Sequence, residues 1–176
     1  MSNADRRGRL HWVTTAARGT GETKSMSTTT ASLASVLNSL IETCKDGQEG
    51  FRNAAENVKD ADLKSLFSEL SMQRRQFITE LQVLVRGLGE ETEKTGSVAG
   101  ALHRGWIDLK AALTSGDEHA ILAECERGED SAVAEYRDAL AHGDLPANVR
   151  GVLRQQSMAV QAAHDRVRDL RDRFQE

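Results

Sequence analysis

The chain has 176 residues, one proline, 4% aromatic residues and a formal net charge of −4. This length suits a single domain, with or without a tail, and is sufficient to bury a sizeable hydrophobic core. The scarcity of proline and the prominence of Ala, Leu, Glu, Arg and Gln predict an all-helical protein.

The distribution of charge and apolar residues argues against several classes of protein. Residues 1–25 contain five basic and two acidic residues, so the remaining 151 residues carry a net charge of −7. An acidic body argues against nucleic-acid binding, which requires clustered cations. No apolar run reaches the length of a membrane span and no segment is typical of a secretory signal, so we expect a cytoplasmic protein that binds no membrane. Cys44 and Cys125 fall on apolar helix faces and are predicted to be buried free thiols.

The first 29 residues form a segment with little apolar periodicity and many Gly, Ser and Thr residues. This composition predicts a disordered basic tail over residues 1–29, followed by a folded domain over residues 30–176. Met26 stands just before the first helix, which leaves a second interpretation open. In that interpretation the native protein starts at Met26, and residues 1–25 are an upstream extension.

The first predicted helix is long and amphipathic. Apolar residues recur at helical spacing over residues 31–58 and keep one face for the whole of that length. Gly47 falls near the centre of this face, where glycine lowers helix stability by about 1 kcal/mol relative to alanine. Close approach of a neighbouring backbone, or a local kink, would account for its position.

The second predicted helix follows after a short link and runs to about Leu88. Asp60 or Asp62 is predicted to cap its N-terminus. Arg74 lies in the middle of its apolar face. Because the link is short, the two helices are expected to be antiparallel neighbours.

Three further helices are predicted after a polar loop. Their expected bounds are residues 98–113, 117–142 and 144–174. Gly143 is predicted to take the C′ position after the fourth helix, and Pro146 is predicted in the first turn of the fifth. Two long hairpins joined by a crossover of roughly thirty residues, with a short helix in the crossover, predict a ferritin-like four-helix bundle.

Four polar residues are predicted on apolar helix faces. Glu129 is the most informative, because a carboxylate on such a face must find a partner, take up a proton or bind a metal. Arg74, Gln156 and His164 lie on the core faces of other helices, near their middles. We predict that the four side chains form one structural polar network that specifies helix register.

Particular sequence motifs also resemble a known family. Residues 96–106 (GSVAGALHRGW), 108–110 (DLK) and 124–130 (ECERGED) closely resemble a bacterial ferritin-like four-helix-bundle family of unknown function. The resemblance covers about residues 33–172 and extends to Asp46, Gly47, Phe51, Arg74, Tyr136, His164 and Asp165. It implies the bundle fold but no catalytic residues.

A metal centre is the main alternative. A ferritin-like di-iron site requires six ligands: a Glu from each of two helices and a Glu-x-x-His pair from each of the other two. Glu69 is followed three residues later by Met72, and the residue three positions before His164 is Gln161. Only Glu129 and His164 remain as candidate ligands, so no metal or other cofactor is expected.

Two functions are therefore carried forward. The first is a non-enzymatic helical bundle, stress-associated or partner-binding, whose protein partner the sequence does not identify. The second is a ferritin-like protein with a degenerate ligand set, in which Glu129 and His164 bind iron or manganese. A homodimer formed through a helix face is one assembly that such a bundle permits. Catalytic residues are not expected, because no third group orients His164 and no glycine-rich turn supplies an oxyanion site.

Overall fold

The computed structural model describes residues 22–90 and 109–174, with side chains from residue 30 onward. The prediction of an all-helical protein is confirmed for these residues, which contain no strand. The long helices are α1 (Glu22–Asn57), α2 (Ala61–Gly87), α4 (Glu118–Ala141) and α5 (Ala147–Arg173), and residues 109–115 are the described part of α3.

Helix α1 starts earlier than the sequence pattern predicts. It begins at Glu22, whereas the apolar pattern begins at about Ala31. The difference arises because periodicity marks the buried part of a helix and not its full length. Residues 22–29 of the predicted tail are therefore helical, and residues 1–21 lie outside the described part of the chain.

Two of the predicted helix starts are confirmed by their caps. The Asp60 carboxylate accepts hydrogen bonds from the backbone N–H groups of Asp62 and Leu63, both at 2.9 Å. The Asp117 carboxylate accepts from the N–H groups at the start of α4 in the same way. Such caps satisfy donors that would otherwise lack partners in the first helical turn.

The turn between α4 and α5 differs from its prediction in two respects. Gly143 does not adopt the left-handed conformation of a C′ glycine, because His142 is already extended (ψ 132°) and the chain leaves the helix there. Pro146 occupies the N-cap and not the first turn of α5. The missing N–H of proline costs nothing at either position.

The third predicted helix is described only in part. Residues 98–108 lie outside the described residues, and residues 109–115 are helical. Gly116, with a φ of +66°, follows it. Leu109 and Ala112 are buried, and Ala112 joins a cluster of buried apolar residues from the long helices.

Each long helix packs against two of the other three. Helix α1 contacts α2 and α4, and α5 contacts α4 and α2. The N-terminal halves of α1 and α5 share one hydrophobic cluster with the C-terminal halves of α2 and α4, and the opposite halves share a second cluster. Neighbouring helices therefore run antiparallel, while α2 and α4 lie at opposite corners and run parallel. None of the described helices has the length and apolar character needed to cross a membrane.

Candidate functional site

A buried ion pair separates the two hydrophobic clusters. Arg74 Nη2 on α2 donates a hydrogen bond of 2.5 Å to Glu129 Oε2 on α4. The two side chains are only 1% and 2% exposed. Each lies near the middle of its helix, between the cluster around Phe67 and the cluster around Leu81. An ion pair so deeply buried is much less screened by water than a surface pair.

The Arg74 guanidinium also lies against two aromatic rings. Its Cζ is 5.9 Å from the ring centroid of Phe51 on α1 and 5.4 Å from that of Phe77 on α2. Both distances fall within the range of cation–π attraction. Nη1 donates a 2.9 Å hydrogen bond to Gln73 Oε1, while Nε is buried and has no partner among the described residues. Aromatic rings, a carboxylate and an amide thus surround the cation.

Gly47 on α1 faces the aliphatic part of Arg74. A Cβ atom placed on Gly47 would lie 3.5 Å from Arg74 Cγ and Cδ, an ordinary van der Waals distance. The neighbour at this position is therefore a side chain, and not the neighbouring backbone that was one of the two alternatives predicted for Gly47. Gly47 lies within the continuous helix α1.

Desolvation dominates the electrostatics of the core. It raises the pKa of the Glu129 carboxyl above its usual value, an effect that the charge and hydrogen bond of Arg74 partly offset. Burial also raises the pKa of Cys44 to about 11 and raises that of Cys125. Both cysteines are free and buried, as predicted. Because the thiolate is the nucleophilic form, neither is activated for covalent chemistry at neutral pH.

A second polar group joins all four long helices. The Tyr136 hydroxyl on α4 donates a 2.7 Å hydrogen bond to Gln156 Oε1 on α5, and it lies 3.3 Å from Cys44 Sγ on α1. Gln156 Nε2 in turn donates a 2.7 Å bond to Glu80 Oε2 on α2. Tyr136 and Gln156 are fully buried, and Glu80 reaches the surface. We call Cys44, Tyr136, Gln156 and Glu80 the four-helix polar chain.

His164 bonds to carboxylates at the edge of the core. Its Nε2 is 2.9 Å from Asp130 Oδ1 on α4, and its Nδ1 is 3.1 Å from Asp165 Oδ1 on its own helix. Partial desolvation disfavours the charged ring, but hydrogen bonds to Asp165 and Asp130 outweigh it, so the pKa of His164 is raised. The His164–Asp130 contact joins α4 to α5 beside Glu129.

The single predicted polar network is thus divided into three groups. Arg74 and Glu129 meet directly, as their charges suggested. Gln156 belongs instead to the four-helix polar chain, and His164 bonds to Asp130 and Asp165. The difference arises because Gln156 is fully buried between Leu153 and Val160, which belong to the cluster on one side of the ion pair, whereas the His164 side chain is 13% exposed and meets carboxylates at the surface.

The sequence analysis does not identify the aromatic participants of these groups, nor Gln73, Glu80 and Asp130. The apolar spacing places Phe51 and Phe77 on the core faces of their helices and gives no sign of their contact with Arg74. Tyr136 was also treated as an apolar core residue, although a buried hydroxyl requires a hydrogen-bond partner, which was the signal available. Its partner is Gln156, twenty residues along the chain.

The candidate metal ligands are engaged elsewhere. Glu129 Oε2 is bound to a guanidinium, and both ring nitrogens of His164 lie within hydrogen-bonding distance of carboxylates. Within residues 22–90 and 109–174, no three His, Cys, Asp or Glu side chains converge in an arrangement suited to a metal ion. The described residues therefore do not fit the six-ligand set that a ferritin-like di-iron site requires.

A surface depression lies away from the ion pair. It has a volume of about 540 Å³, lies between α1 and α2 and is lined by Arg52, Ala55, Glu56, Lys64, Ser68 and Ser71. The Ser68 and Ser71 hydroxyls in it already donate to the backbone carbonyls of Lys64 and Gln48. Neither Arg74 nor Glu129 lines it, so this depression gives no access to the buried cation.

Comparison with models of protein families shows the family to which the chain belongs. Residues 32–142 match the family described as Domain of unknown function (DUF2383), and the match covers more than half of the chain. The chain belongs to this family. The family segment contains α1 from residue 32, α2 and α4, and therefore both Arg74 and Glu129, while Gln156 and His164 on α5 follow it. A comparison with curated proteins found no match.

Proposed function

We propose that the chain is a non-enzymatic protein with a ferritin-like four-helix bundle, in which the buried polar residues are structural. The observation that carries this proposal is the Arg74–Glu129 ion pair. In a ferritin-like metalloprotein, inward carboxylates neutralise metal ions. Here Glu129, the most deeply buried carboxylate among the described residues, is neutralised by an arginine of the same chain, so its charge requires no metal.

Further features support a structural role for the interior. The two cysteines are buried thiols with raised pKa values, which makes them poor nucleophiles. His164 has carboxylates at both ring nitrogens, and no nucleophile hydrogen-bonds to it among the described contacts. A catalytic base requires a substrate or nucleophile within hydrogen-bonding distance. These contacts favour a structural role for the interior polar residues, which hold the helices together, over a catalytic role.

Metal analysis of the purified protein is the direct test. We expect well under one iron, manganese or zinc ion per chain after dialysis. We also expect no rise in melting temperature on adding any of these ions at concentrations of about 1 mM, because a ligand that binds the folded state stabilises it. Glu129→Gln serves as the matched variant, because it removes the charge that a metal would require and keeps the shape of the side chain.

The alternative function makes the opposite prediction. If Glu129 and His164 hold iron or manganese, stoichiometric metal should survive dialysis and should be lost in Glu129→Gln. Ferroxidase activity that depends on Glu129 would also reject the non-enzymatic proposal. Retention of metal by both proteins would place the ion elsewhere in the chain.

Location and partners complete the proposal. We propose a cytoplasmic protein, a location that the two free buried thiols favour because disulfides are rare in that compartment. Binding of a protein partner, an association with stress and a homodimer stay predictions. Co-purification from the native host, followed by sedimentation of the purified chain, tests the partner and the oligomeric state. A monomer that co-purifies with nothing would contradict a partner-binding role.

A further inference from the structure

We propose that the interior contains a binding site for a planar guanidinium cation, which the chain fills with the side chain of Arg74. The site consists of Phe51, Phe77 and Glu129, with Gln73 at its margin, and we call it the guanidinium cradle. This inference rests on the proposed absence of a metal centre and goes beyond it by naming the class of cation that this interior admits.

The shape of the cradle favours a flat cation. Two aromatic rings, one from α1 and one from α2, lie 5.9 and 5.4 Å from the guanidinium carbon. A guanidinium ion is planar and weakly hydrated, so it loses little hydration energy against ring faces. A metal ion would require several oxygen or nitrogen ligands in place of these rings. The composition of the cradle therefore favours an organic cation.

The hydrogen-bonding groups point to the same class of cation. The Glu129 carboxylate accepts from Nη2 and the Gln73 amide oxygen accepts from Nη1, so two separate nitrogen atoms of one planar group are bound. An ammonium ion has a single nitrogen and does not reproduce this spacing. The unpartnered Nε lies on the side facing Gly47, where the small residue leaves room.

Shortening Arg74 should leave the cradle assembled but empty. Phe51, Phe77 and Glu129 come from three different helices and are held by the surrounding clusters. Arg74→Ala then leaves an unpaired buried carboxylate beside two rings, and a free guanidinium ion would supply the missing group. Binding to the folded state raises the melting temperature by about 3–6 °C at ten times the dissociation constant.

The test compares the melting temperatures of Arg74→Ala and wild-type protein in guanidinium chloride at concentrations up to about 20 mM. We expect guanidinium to raise the melting temperature of Arg74→Ala by several degrees. In the wild-type protein, whose cradle is filled, the same concentrations should lower it by less than about 1 °C through ordinary denaturation. Ammonium chloride and manganese(II) chloride on Arg74→Ala test the specificity for a planar cation.

The double variant Arg74→Ala/Glu129→Gln is the control for the carboxylate, and guanidinium should not raise its melting temperature. Failure of guanidinium to stabilise Arg74→Ala, or equal stabilisation by ammonium, would overturn the proposal. Stabilisation by manganese of the wild-type protein would instead overturn the proposed function and leave the cradle untouched. The two failures are therefore distinguishable.

If Arg74→Ala does not fold, Arg74→Lys and Arg74→Gln replace it. Lysine keeps the charge but lacks the planar group. We therefore expect the fall in melting temperature caused by Arg74→Lys to be at least half of the fall caused by Arg74→Gln. A lysine variant as stable as the wild-type protein would show that the site recognises charge alone, and the proposal would then be wrong.

Discussion

Arg74 and Glu129 form an ion pair across the diagonal of the helical core. Their atoms Nη2 and Oε2 are 2.5 Å apart, although α2 and α4, which carry them, do not pack directly against each other within the described residues. The pair therefore spans the interior and joins two diagonal helices whose backbones do not approach each other closely within the described residues. Such a contact fixes the relative height of α2 and α4, because sliding either helix would separate the charges.

The first prediction concerns the energy of this pair. Glu129→Leu and Arg74→Leu should each destabilise the protein by about 3–5 kcal/mol, because each leaves an uncompensated charge in the core. The double variant should recover much of the loss, since both charges are then absent. Denaturant melts of the two single variants and the double variant measure the coupling free energy.

The exposed pair Arg52–Glu49 provides the control for this cycle. Its atoms are 3.6 Å apart and its side chains are more than half exposed. Alanine substitutions there should change stability by less than about 1 kcal/mol and show little coupling. Additive losses for Arg74 and Glu129 would contradict the direct contact between them.

The second prediction concerns the four-helix polar chain. Tyr136→Phe removes the hydroxyl that bonds to Gln156, and the buried amide oxygen then lacks that donor. We expect a loss of about 1–3 kcal/mol, the usual cost of an unsatisfied buried polar group. Glu80→Gln is the control, because the new side chain still presents an oxygen to Gln156 from the surface. A loss in Glu80→Gln as large as that in Tyr136→Phe would show that the charge of Glu80 matters as much as the buried hydrogen bond.

Most of the fold was accessible from the sequence because its signals are local. Helix identity followed from apolar spacing, and the caps at Asp60 and Asp117 followed from residue type next to each apolar run. The start of α1 was missed because nothing in a polar sequence distinguishes an exposed helical extension from a coil. The conformation of Gly143 was missed because it depends on the direction in which the chain must leave α4.

The polar interior was accessible only in part. Arg74 and Glu129 could be identified because each is a charged residue on an apolar helix face. Their opposite charges indicated that the two side chains meet. The partners of Gln156 and His164 depend on the rotation of α5 against α2 and α4, which one sequence does not specify. An angular difference of a few tens of degrees decides whether a side chain faces the core or its edge.

The third prediction concerns Gly47. Gly47→Ala should leave stability unchanged or raise it by up to about 1 kcal/mol, because alanine favours the helix and its Cβ would meet Arg74 at an ordinary distance of 3.5 Å. Gly47→Leu should destabilise, because the longer side chain would occupy the space of the arginine. Gly128→Ala, with no atom within 4 Å of the added carbon, measures helix propensity alone. A loss of more than about 1 kcal/mol in Gly47→Ala would show that Arg74 packs closer to α1.

The fourth prediction concerns the start of the folded chain. A protein starting at Met26 should melt within a few degrees of the full chain, because the first buried residue described in α1 is Leu33. Of the described residues, removing residues 1–25 deletes only the first turn of α1, and ends of helices contribute little stability. Differential scanning calorimetry of the two proteins tests this expectation. A larger fall in melting temperature would show that the removed residues pack on the core.

The last prediction concerns the response of stability to pH. The pKa of His164 in the folded protein is raised above that of an unfolded histidine, about 6.5, because Asp165 and Asp130 favour the protonated ring. The stability that this proton contributes is complete below about pH 6 and is lost as the pH rises through the folded-state pKa. Urea melts between pH 6 and pH 9 should therefore show a fall in the free energy of unfolding of at most about 1 kcal/mol from this group.

Two variants isolate the contribution of His164 to that fall. Asp130→Asn removes a carboxylate 2.9 Å from the ring and should make the pH dependence shallower. Asp138→Asn removes a carboxylate from the same helix that pairs with Arg137, and it should leave the slope unchanged. The chemical shift of the His164 ring protons, followed by NMR across the same range, reports the titration directly. A pKa at or below 6.5 for His164 would contradict this prediction. Equal pH dependence of the free energy of unfolding in wild-type and Asp130→Asn protein would also contradict it, because protonation of His164 would then not stabilise the contact between α4 and α5.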